Sequence, residues 1–107
     1  MSESGAEDDC PPPPELAGAL SRQMQIVNRK GLHARATAKF VQCVDLYDAD
    51  IKVERCGETV GGDSIMGILT LGAGLGSTIT VFASGVEAQK ALDALAELVA
   101  SRFGEDE

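Results

Sequence analysis

The chain of 107 residues has little of what defines several common classes of protein. It contains no tryptophan, one tyrosine and three phenylalanines, so its core has to be built mainly from aliphatic side chains. No apolar run approaches the roughly 20 residues that a membrane-spanning helix needs. The N-terminal stretch, MSESGAEDDC, is polar and acidic, which is the opposite of a secretory signal. The sequence therefore predicts one globular, cytoplasmic domain that does not insert into a membrane.

Cysteine and histidine are scarce as well. The three cysteines, Cys10, Cys43 and Cys56, are odd in number and form no C-x-x-C motif. This pattern predicts neither a disulfide framework nor a zinc site, and we expect reduced thiols. The one histidine, His33, has no second histidine or cysteine at the spacing of metal ligands. We therefore expect no metal ion, and no motif for another cofactor is found.

The charge is one-sided, with 9 basic against 17 acidic residues and a net charge of −8. Such a chain is a poor partner for nucleic acid, because phosphate backbones require a basic face. Part of the basic charge is nevertheless concentrated within residues 29–39, at Arg29, Lys30, Arg35 and Lys39. A basic patch on an acidic protein predicts docking to an anion or an acidic partner, although a solvated helix face has the same pattern.

Composition and periodicity divide the chain into a tail and a domain. Residues 1–20 hold an acidic run and four consecutive prolines, Pro11 to Pro14, which favour a disordered or extended tail. Residues 21–104 are predicted to form one domain with its elements in the order βαββαβα. The predicted strands lie at 23–28, 50–55, 59–60 and 78–83, and the predicted helices at 34–46, at 65–71 and between Ser84 and Gly104.

The strands alternate polar and apolar residues, which predicts an antiparallel sheet with one apolar face. The fold class is therefore α+β, an open-faced β-sandwich in which three helices cover one face of a four-stranded antiparallel sheet. A capping box, Ser84 followed three residues later by Glu87, is predicted to start the last helix. The periodic apolar positions predict the core: Met24, Ile26, Thr37, Phe40, Val41, Val44, Ile65, Ile68, Leu69, Ile79, Val81, Ala83, Ala88, Ala91, Leu92, Leu95 and Val99.

The stretch KGLHARATAKF, residues 30–40, places His33 where a loop becomes a helix. The first backbone N–H groups of that helix, at Ala34 and Arg35, have no intrahelical partner and carry the positive end of the helix dipole. An anion beside His33 would meet those donors, and Arg35 could add a charge-assisted contact to phosphate oxygens. An unprotonated imidazole nitrogen is a nucleophile that could take a phosphoryl group. The residues alone also fit a surface histidine that merely begins a helix.

Two motifs together resemble those of a known family. GLHAR at 31–35 and GDSIMGILTLGA at 62–73 are similar to the motifs of the HPr family, the histidine-containing phosphocarriers of the bacterial phosphoenolpyruvate-dependent phosphotransferase system. The resemblance covers roughly residues 20–103, and it implies the same βαββαβα fold. It implies that His33 accepts phosphate on Nδ1 from a phosphohistidine of Enzyme I, with Arg35 as the helper arginine. His33 then passes the group to a histidine of an Enzyme IIA domain, as a covalent carrier rather than an enzyme.

The resemblance also assigns roles outside the histidine motif. Ser64 falls at the regulatory serine that an HPr kinase/phosphorylase phosphorylates in some bacteria, although an ordinary helix N-cap fits the residue equally well. Partner docking is expected at Lys30, Lys39, Ile65 and Met66. Ala36 stands where many relatives have proline. Variants without that proline resemble the carriers of regulatory, nitrogen-related branches in Proteobacteria, so partner preference stays open.

Two other functions stay open at this point. The chain could be an interaction protein controlled mainly by phosphorylation of Ser64, although His33 argues against that as its sole role. It could also be an α+β module that senses a small molecule and dimerises through a sheet edge. The phosphocarrier prediction implies a monomer instead.

Overall fold

The computed structural model describes residues 10–14 and 16–106, and this part of the chain forms one sheet with three helices. The strands form an antiparallel sheet in the order β1-β4-β2-β3, with helices in the connections. The predicted α+β open-faced sandwich with the order βαββαβα is thereby confirmed. The elements are β1 (Leu20–Gln25), α1 (Ala34–Val44), β2 (Asp50–Arg55), β3 (Glu58–Gly61), α2 (Ile65–Thr70), β4 (Thr78–Ser84) and α3 (Ala88–Ala100).

The core lies between the sheet and the helices, and strand alternation builds the sheet side of it. Along β4, Ile79, Val81 and Ala83 share one face, because successive side chains point to opposite faces of a strand, and all three are fully buried. Thr80 and Phe82, on the opposite face of β4, are buried as well. Pairing places Met24 beside Ile79 and Val53 beside Val81, so one apolar layer runs across the strands. None of the helices in the described residues is long and apolar enough to cross a membrane.

The predicted core is largely confirmed, with three exceptions. Val41 and Leu69 are only partly buried, and Ile65 is 41% exposed. The six residues of α2 bury one face only, through Ile68, and Leu71 just beyond the helix is buried in place of Ile65. The exposure of Ile65 agrees with the alternative that it lies on a surface rather than in the core.

Several element boundaries differ from the sequence prediction by one or two residues, and two differ by more. Strand β1 begins at Leu20 and ends at Gln25, three residues earlier than predicted, because it is an edge strand whose exposed residues carry no alternation. The prediction of a capping box at Ser84 was wrong. Ser84 stays extended in β4, paired with Asp50, and α3 begins only at Ala88. The Glu87 carboxylate instead accepts a hydrogen bond from the backbone N–H of Asp48 at 2.7 Å, which ties the α1–β2 loop to the start of α3.

A disulfide joins the N-terminal segment to the β2–β3 hairpin, which corrects the prediction of reduced thiols. Cys10 pairs with Cys56 across 46 residues of sequence, with their Cα atoms 4.6 Å apart. Cys56 and Gly57 have positive φ angles of 51° and 88°, as the two central residues of a type I′ hairpin turn require. Sequence spacing could not reveal this pairing, because only the folded chain brings the segment to the turn. The acidic run predicted for the tail, residues 1–9, lies outside the described residues.

The loop before α1 packs backbone against backbone on the loop that joins α2 to β4. Gly31 has a φ of +68°, and a Cβ atom there would lie 2.6 Å from the carbonyl oxygen of Ala73 and 2.7 Å from Cα of Gly74. The neighbouring Leu32 N–H donates to the same Ala73 carbonyl at 2.9 Å. This close approach needs glycine for both its conformation and its lack of a side chain. It fixes the position of the chain at His33.

Replacing Gly31 by alanine should therefore destabilise the protein by more than its φ angle alone explains. Gly72 is a matched control, because its φ is +65° and a Cβ there would meet nothing within 4 Å. The left-handed conformation costs an alanine about 1–2 kcal/mol in either case. Overlap with the neighbouring backbone should add about 1–3 kcal/mol for Gly31→Ala only. Urea unfolding measures both variants, and equal losses of stability would contradict the packing described.

The disulfide makes a second prediction, which cysteine labelling can test. The protein denatured without a reductant should take up one alkyl group from iodoacetamide, on Cys43, and three after reduction. Burial raises the pKa of the Cys43 thiol, so denaturation is needed for complete labelling. Reduction should also lower the free energy of unfolding by up to about 4 kcal/mol, because the bond closes a long loop in the unfolded chain. Three alkyl groups without reductant would contradict the pairing.

Candidate functional site

His33 occupies the N-cap position of α1, as the sequence predicted. Its backbone is extended, with φ −79° and ψ −177°, and the helix begins at the next residue. Its own N–H donates to the Gly31 carbonyl at 2.9 Å, and its carbonyl accepts the first helical hydrogen bond, from Thr37, at 2.9 Å. The side chain does not cap the helix and is 27% exposed. The imidazole is therefore held at the surface by a well-fixed backbone.

The first turn of α1 supplies the predicted donors beside that ring. Because Thr37 makes the first helical bond, the N–H groups of Ala34 and Arg35 have no acceptor within the helix. Both residues are exposed, and α1 has no acidic residue in its first turn to compete for the positive end of its dipole. An anion can therefore reach these donors from solvent.

A basic cleft surrounds His33. The cleft has a volume of about 440 Å³ and is open to solvent on one side. Its guanidinium and ammonium groups outnumber its carboxylates by four to two, so an incoming phosphate meets net positive charge. Arg35 is exposed and makes no hydrogen bond or ion pair with any of the described residues, which leaves its guanidinium available. The lining residues are Arg29, Lys30, His33, Arg35, Lys39, Gly104, Glu105 and Asp106.

The chain beyond α3 closes one wall of the cleft. Phe103 is 1% exposed and anchors this segment in the core, and its carbonyl accepts a hydrogen bond from Nζ of Lys39 at 2.6 Å. Arg102, Phe103 and Gly104 all have positive φ angles, of 61°, 55° and 77°. This left-handed turn reverses the chain after α3 and directs Glu105 back towards α1.

Glu105 contacts the histidine directly. Nε2 of His33 lies 2.5 Å from Oε2 of Glu105, and the carboxylate side chain is 17% exposed. The other carboxylate oxygen, Oε1, accepts a hydrogen bond from Nδ2 of Asn28 at 3.1 Å. Asn28 is fully buried and also donates from Nδ2 to the Gly31 carbonyl at 2.8 Å. One buried amide therefore links the glycine loop, the carboxylate and, through it, the imidazole.

These contacts lower the pKa of Glu105. The hydrogen bond with His33 is the largest cause, and the hydrogen bond from Asn28 and the positive charges of His33 and Lys30 act in the same direction, against desolvation. Because the folded-state pKa of Glu105 lies below the unfolded value, the ionised carboxylate stabilises the fold at pH values above the ordinary pKa range of a glutamate. That contribution is lost as the pH falls through the lowered pKa.

The second motif forms a separate part of the surface. Ser64 caps α2, and its Oγ accepts a hydrogen bond from the N–H of Gly67 at 3.0 Å. The next two side chains point outwards, with Ile65 41% and Met66 70% exposed. An apolar pair of this kind at the start of a helix is available for contact with another protein. The N-cap role predicted as an alternative for Ser64 is confirmed.

Of the predicted site residues, His33, Arg35, Lys30 and Lys39 line one cleft, and Ala34 contributes its N–H beside it. Lys39 is less available for docking than predicted, because its Nζ already donates a hydrogen bond to the carbonyl of Phe103. Sequence reasoning missed Asn28 and Glu105, which were assigned to a strand and to the residues beyond the domain. No local signal marks either one, since 77 residues separate them.

Comparison with known proteins agrees with the geometry. A family model described as "PTS HPr component phosphorylation site" matches residues 20–101. Phosphocarrier protein HPr from Cupriavidus necator is 47% identical over 88 residues, covering 82% of this chain and 99% of that protein. Phosphocarrier protein NPr from Shewanella violacea is 40% identical over 86 residues, covering 80% of this chain and 94% of that protein.

The fold has solved relatives as well. The crystal structure of HPr-C-His from Thermoanaerobacter tengcongensis superposes with a TM-score of 0.79 at 38% identity, and the match covers 82% of this chain and 99% of that one. Sequence and fold therefore agree over most of the chain, and the residues that the family model matches include both motifs. The chain belongs to the HPr family, the phosphocarrier proteins of the phosphotransferase system.

Proposed function

We propose that this protein accepts a phosphoryl group on His33 from a phosphohistidine of Enzyme I and passes it to a histidine of an Enzyme IIA component. The observation that carries the proposal is the position of His33, at the open N-terminus of α1 and within a cleft lined by four cationic side chains. The protein is then an intermediate carrier between two other proteins in a phosphoryl relay. It holds the phosphoryl group covalently and releases it to the next protein.

Phosphoryl transfer requires positioning and charge stabilisation more than chemical assistance from the protein. The phosphoryl oxygens would meet the N–H groups of Ala34 and Arg35 at the helix terminus and the guanidinium of Arg35. These donors stabilise the negative charge on the group during transfer. Because the site is a surface cleft rather than a closed pocket, the donor and acceptor proteins can each reach the same ring nitrogen in turn.

Two kinds of surface support docking of these partners. Lys30 lies at the rim of the cleft, and Lys39 adds positive charge within it, which would attract an acidic partner. Ile65 and Met66 offer exposed apolar area, which a partner can bury. We propose that a partner contacts both the basic rim and this apolar pair when it engages His33.

Phosphorylation of Ser64 by an HPr kinase/phosphorylase is a further part of the proposal. The residue stands at the start of α2 beside the apolar pair, so added phosphate would place negative charge next to Ile65 and Met66. Such a charge would disfavour burial of the pair against a partner. Ser64 would then regulate docking without changing the chemistry at His33. In the alternative function, this regulation is the main role of the protein.

The branch of the phosphotransferase system is also a matter of proposal. Relatives carry both HPr and NPr names. The family resemblance implies that Ala36 stands where many members have proline. We favour a regulatory, nitrogen-related acceptor on the basis of Ala36, with sugar uptake as the other outcome. We further propose that the protein works as a monomer in the cytoplasm, where Enzyme I and its phosphoenolpyruvate are found.

The relay is tested by incubating the protein with Enzyme I, magnesium and phosphoenolpyruvate and measuring its intact mass. One added phosphoryl group that is lost in acid is expected for the natural protein. None is expected for His33→Ala, because the nucleophile is gone. Ser64→Ala is the control and should be modified like the natural protein. An unmodified natural protein with active Enzyme I, or a group retained by His33→Ala, would contradict the proposal.

Docking is tested by placing a charge in the apolar pair. Met66→Glu should raise the KM of Enzyme I for this protein about tenfold or more, since a buried apolar contact becomes a buried charge. Val86→Glu is the matched control, because Val86 is 88% exposed. It follows the C-terminal end of β4, and the His33 cleft lies at the other end of that strand. The KM of Enzyme I for the Val86→Glu variant should not change. Equal KM values for both variants would remove this surface from the docking site.

A further inference from the structure

We propose that Glu105 is a positioning residue for the phosphoryl relay, which holds the His33 imidazole with its proton on Nε2 and so presents Nδ1 as the nucleophile. The inference rests on the proposed function of His33 and adds a role for a residue beyond the region that the family model matches. Its basis is the contact between a ring nitrogen and a carboxylate that lie 72 residues apart in sequence.

The direction of the hydrogen bond follows from the chemistry of the two groups. An ionised carboxylate has acceptors only, so the ring nitrogen that lies 2.5 Å from Oε2 has to donate. A neutral imidazole carries one N–H, and a proton on Nε2 leaves the lone pair on Nδ1. Within the described residues Nδ1 makes no hydrogen bond, so its lone pair is not engaged. The structure therefore selects the nitrogen that the family resemblance assigned to phosphate.

Glu105 can perform this role because it is itself held at two points. Its Oε1 accepts from Asn28, and only the assignment with Nδ2 towards Glu105 lets Asn28 donate to both Glu105 and Gly31. Its Oε2 is then directed at the imidazole. Since Asn28 is fully buried and Gly31 is fixed by backbone packing, the carboxylate is anchored to the same loop that carries His33.

The backbone before Glu105 is also shaped for this contact. Arg102 and Phe103 both adopt left-handed conformations, which non-glycine residues rarely do. Burial of Phe103 and the hydrogen bond from Lys39 to its carbonyl hold the turn in place. Unfavourable backbone conformations that the surrounding structure maintains are concentrated at functional sites. In this protein the turn places the Glu105 carboxylate in contact with the His33 imidazole.

The contact also balances charge during transfer. When the Nδ1 lone pair forms the new N–P bond, the N–P bond of the donor breaks and its electron pair stays on the donor nitrogen. The His33 ring then carries both phosphorus and a proton, which makes it positively charged, and the Glu105 carboxylate lies opposite that charge. On release the N–P bond electrons return to Nδ1, and the proton remains on Nε2 throughout. No proton has to leave the ring in either direction.

The cleft provides a matched control for this role. Asp106 lines the same cleft and carries the same charge as Glu105, but its side chain forms no hydrogen bond or ion pair with His33. Asp106→Asn therefore removes one negative charge from the cleft and keeps the ring contact. Glu105→Gln also removes one charge, but its amide can donate to Nε2 and stabilise the wrong tautomer. Glu105→Ala removes the contact entirely.

The first arm of the test measures the tautomer and does not depend on Enzyme I. Two-bond ¹H–¹⁵N spectra of the imidazole, recorded at alkaline pH so that the ring is uncharged, distinguish a protonated nitrogen from a bare one. The natural protein and Asp106→Asn should show protonated Nε2 and bare Nδ1. Glu105→Gln should gain a population with the proton on Nδ1. A natural protein with its proton on Nδ1 overturns the inference, whatever the outcome of the relay.

The second arm measures the rate of phosphorylation by Enzyme I, with circular dichroism confirming that each variant is folded. Loss of a group that orients a reacting imidazole should slow Glu105→Gln about 10- to 100-fold, and Glu105→Ala by less. Asp106→Asn should not slow transfer, because removing this carboxylate leaves more net positive charge in the cleft for phosphate to meet. Equal slowing of Asp106→Asn, or unchanged or faster transfer in both Glu105 variants, overturns the positioning role. If even the natural protein is not phosphorylated, the proposed function fails, and the tautomer measurement still decides the contact.

Discussion

The close approach of two backbones at Gly31 is the constraint on which the rest of the site depends. It fixes the loop before α1 against the loop before β4, and the loop in turn sets where α1 begins. His33 follows two residues later and has no freedom to move away from the helix terminus. The free N–H groups of the first turn and the imidazole therefore keep a constant relation, which is what a group that repeatedly binds and releases phosphate requires.

A second set of contacts depends on the same loop from the other side. Asn28 bonds to the Gly31 carbonyl and to Glu105, and Lys39 on α1 holds the carbonyl of Phe103. The segment after α3 is thus attached to the loop and to the helix that together present His33. The site is built from the two ends of the described domain: residues 29–39 supply the positive charge of the cleft, and the segment after α3 forms one wall of it. The cleft keeps a net positive charge that can attract phosphate, while the Glu105 carboxylate contacts the imidazole.

The sequence predicted those features that depend on local order along the chain. Alternation identified Ile79, Val81 and Ala83 as core, and the helix start identified His33 and Arg35, because each property is set by neighbours in sequence. The capping box at Ser84 was wrong because pairing with β2 kept that residue in the strand. The bond from Cys10 to Cys56 and the contact of Glu105 with His33 depend on distant segments that meet only in the folded protein, and no local pattern encodes them.

Phosphate is expected to bind at one nitrogen of one histidine, beside an open helix terminus. This binding can be observed by ³¹P and ¹⁵N NMR spectroscopy of the protein after phosphorylation by Enzyme I. We expect phosphorus bonded to Nδ1 of His33, with the amide protons of Ala34 and Arg35 shifted downfield by new hydrogen bonds. Phosphorus on Nε2, phosphorus on another residue, or unshifted amides at the start of α1 would contradict it.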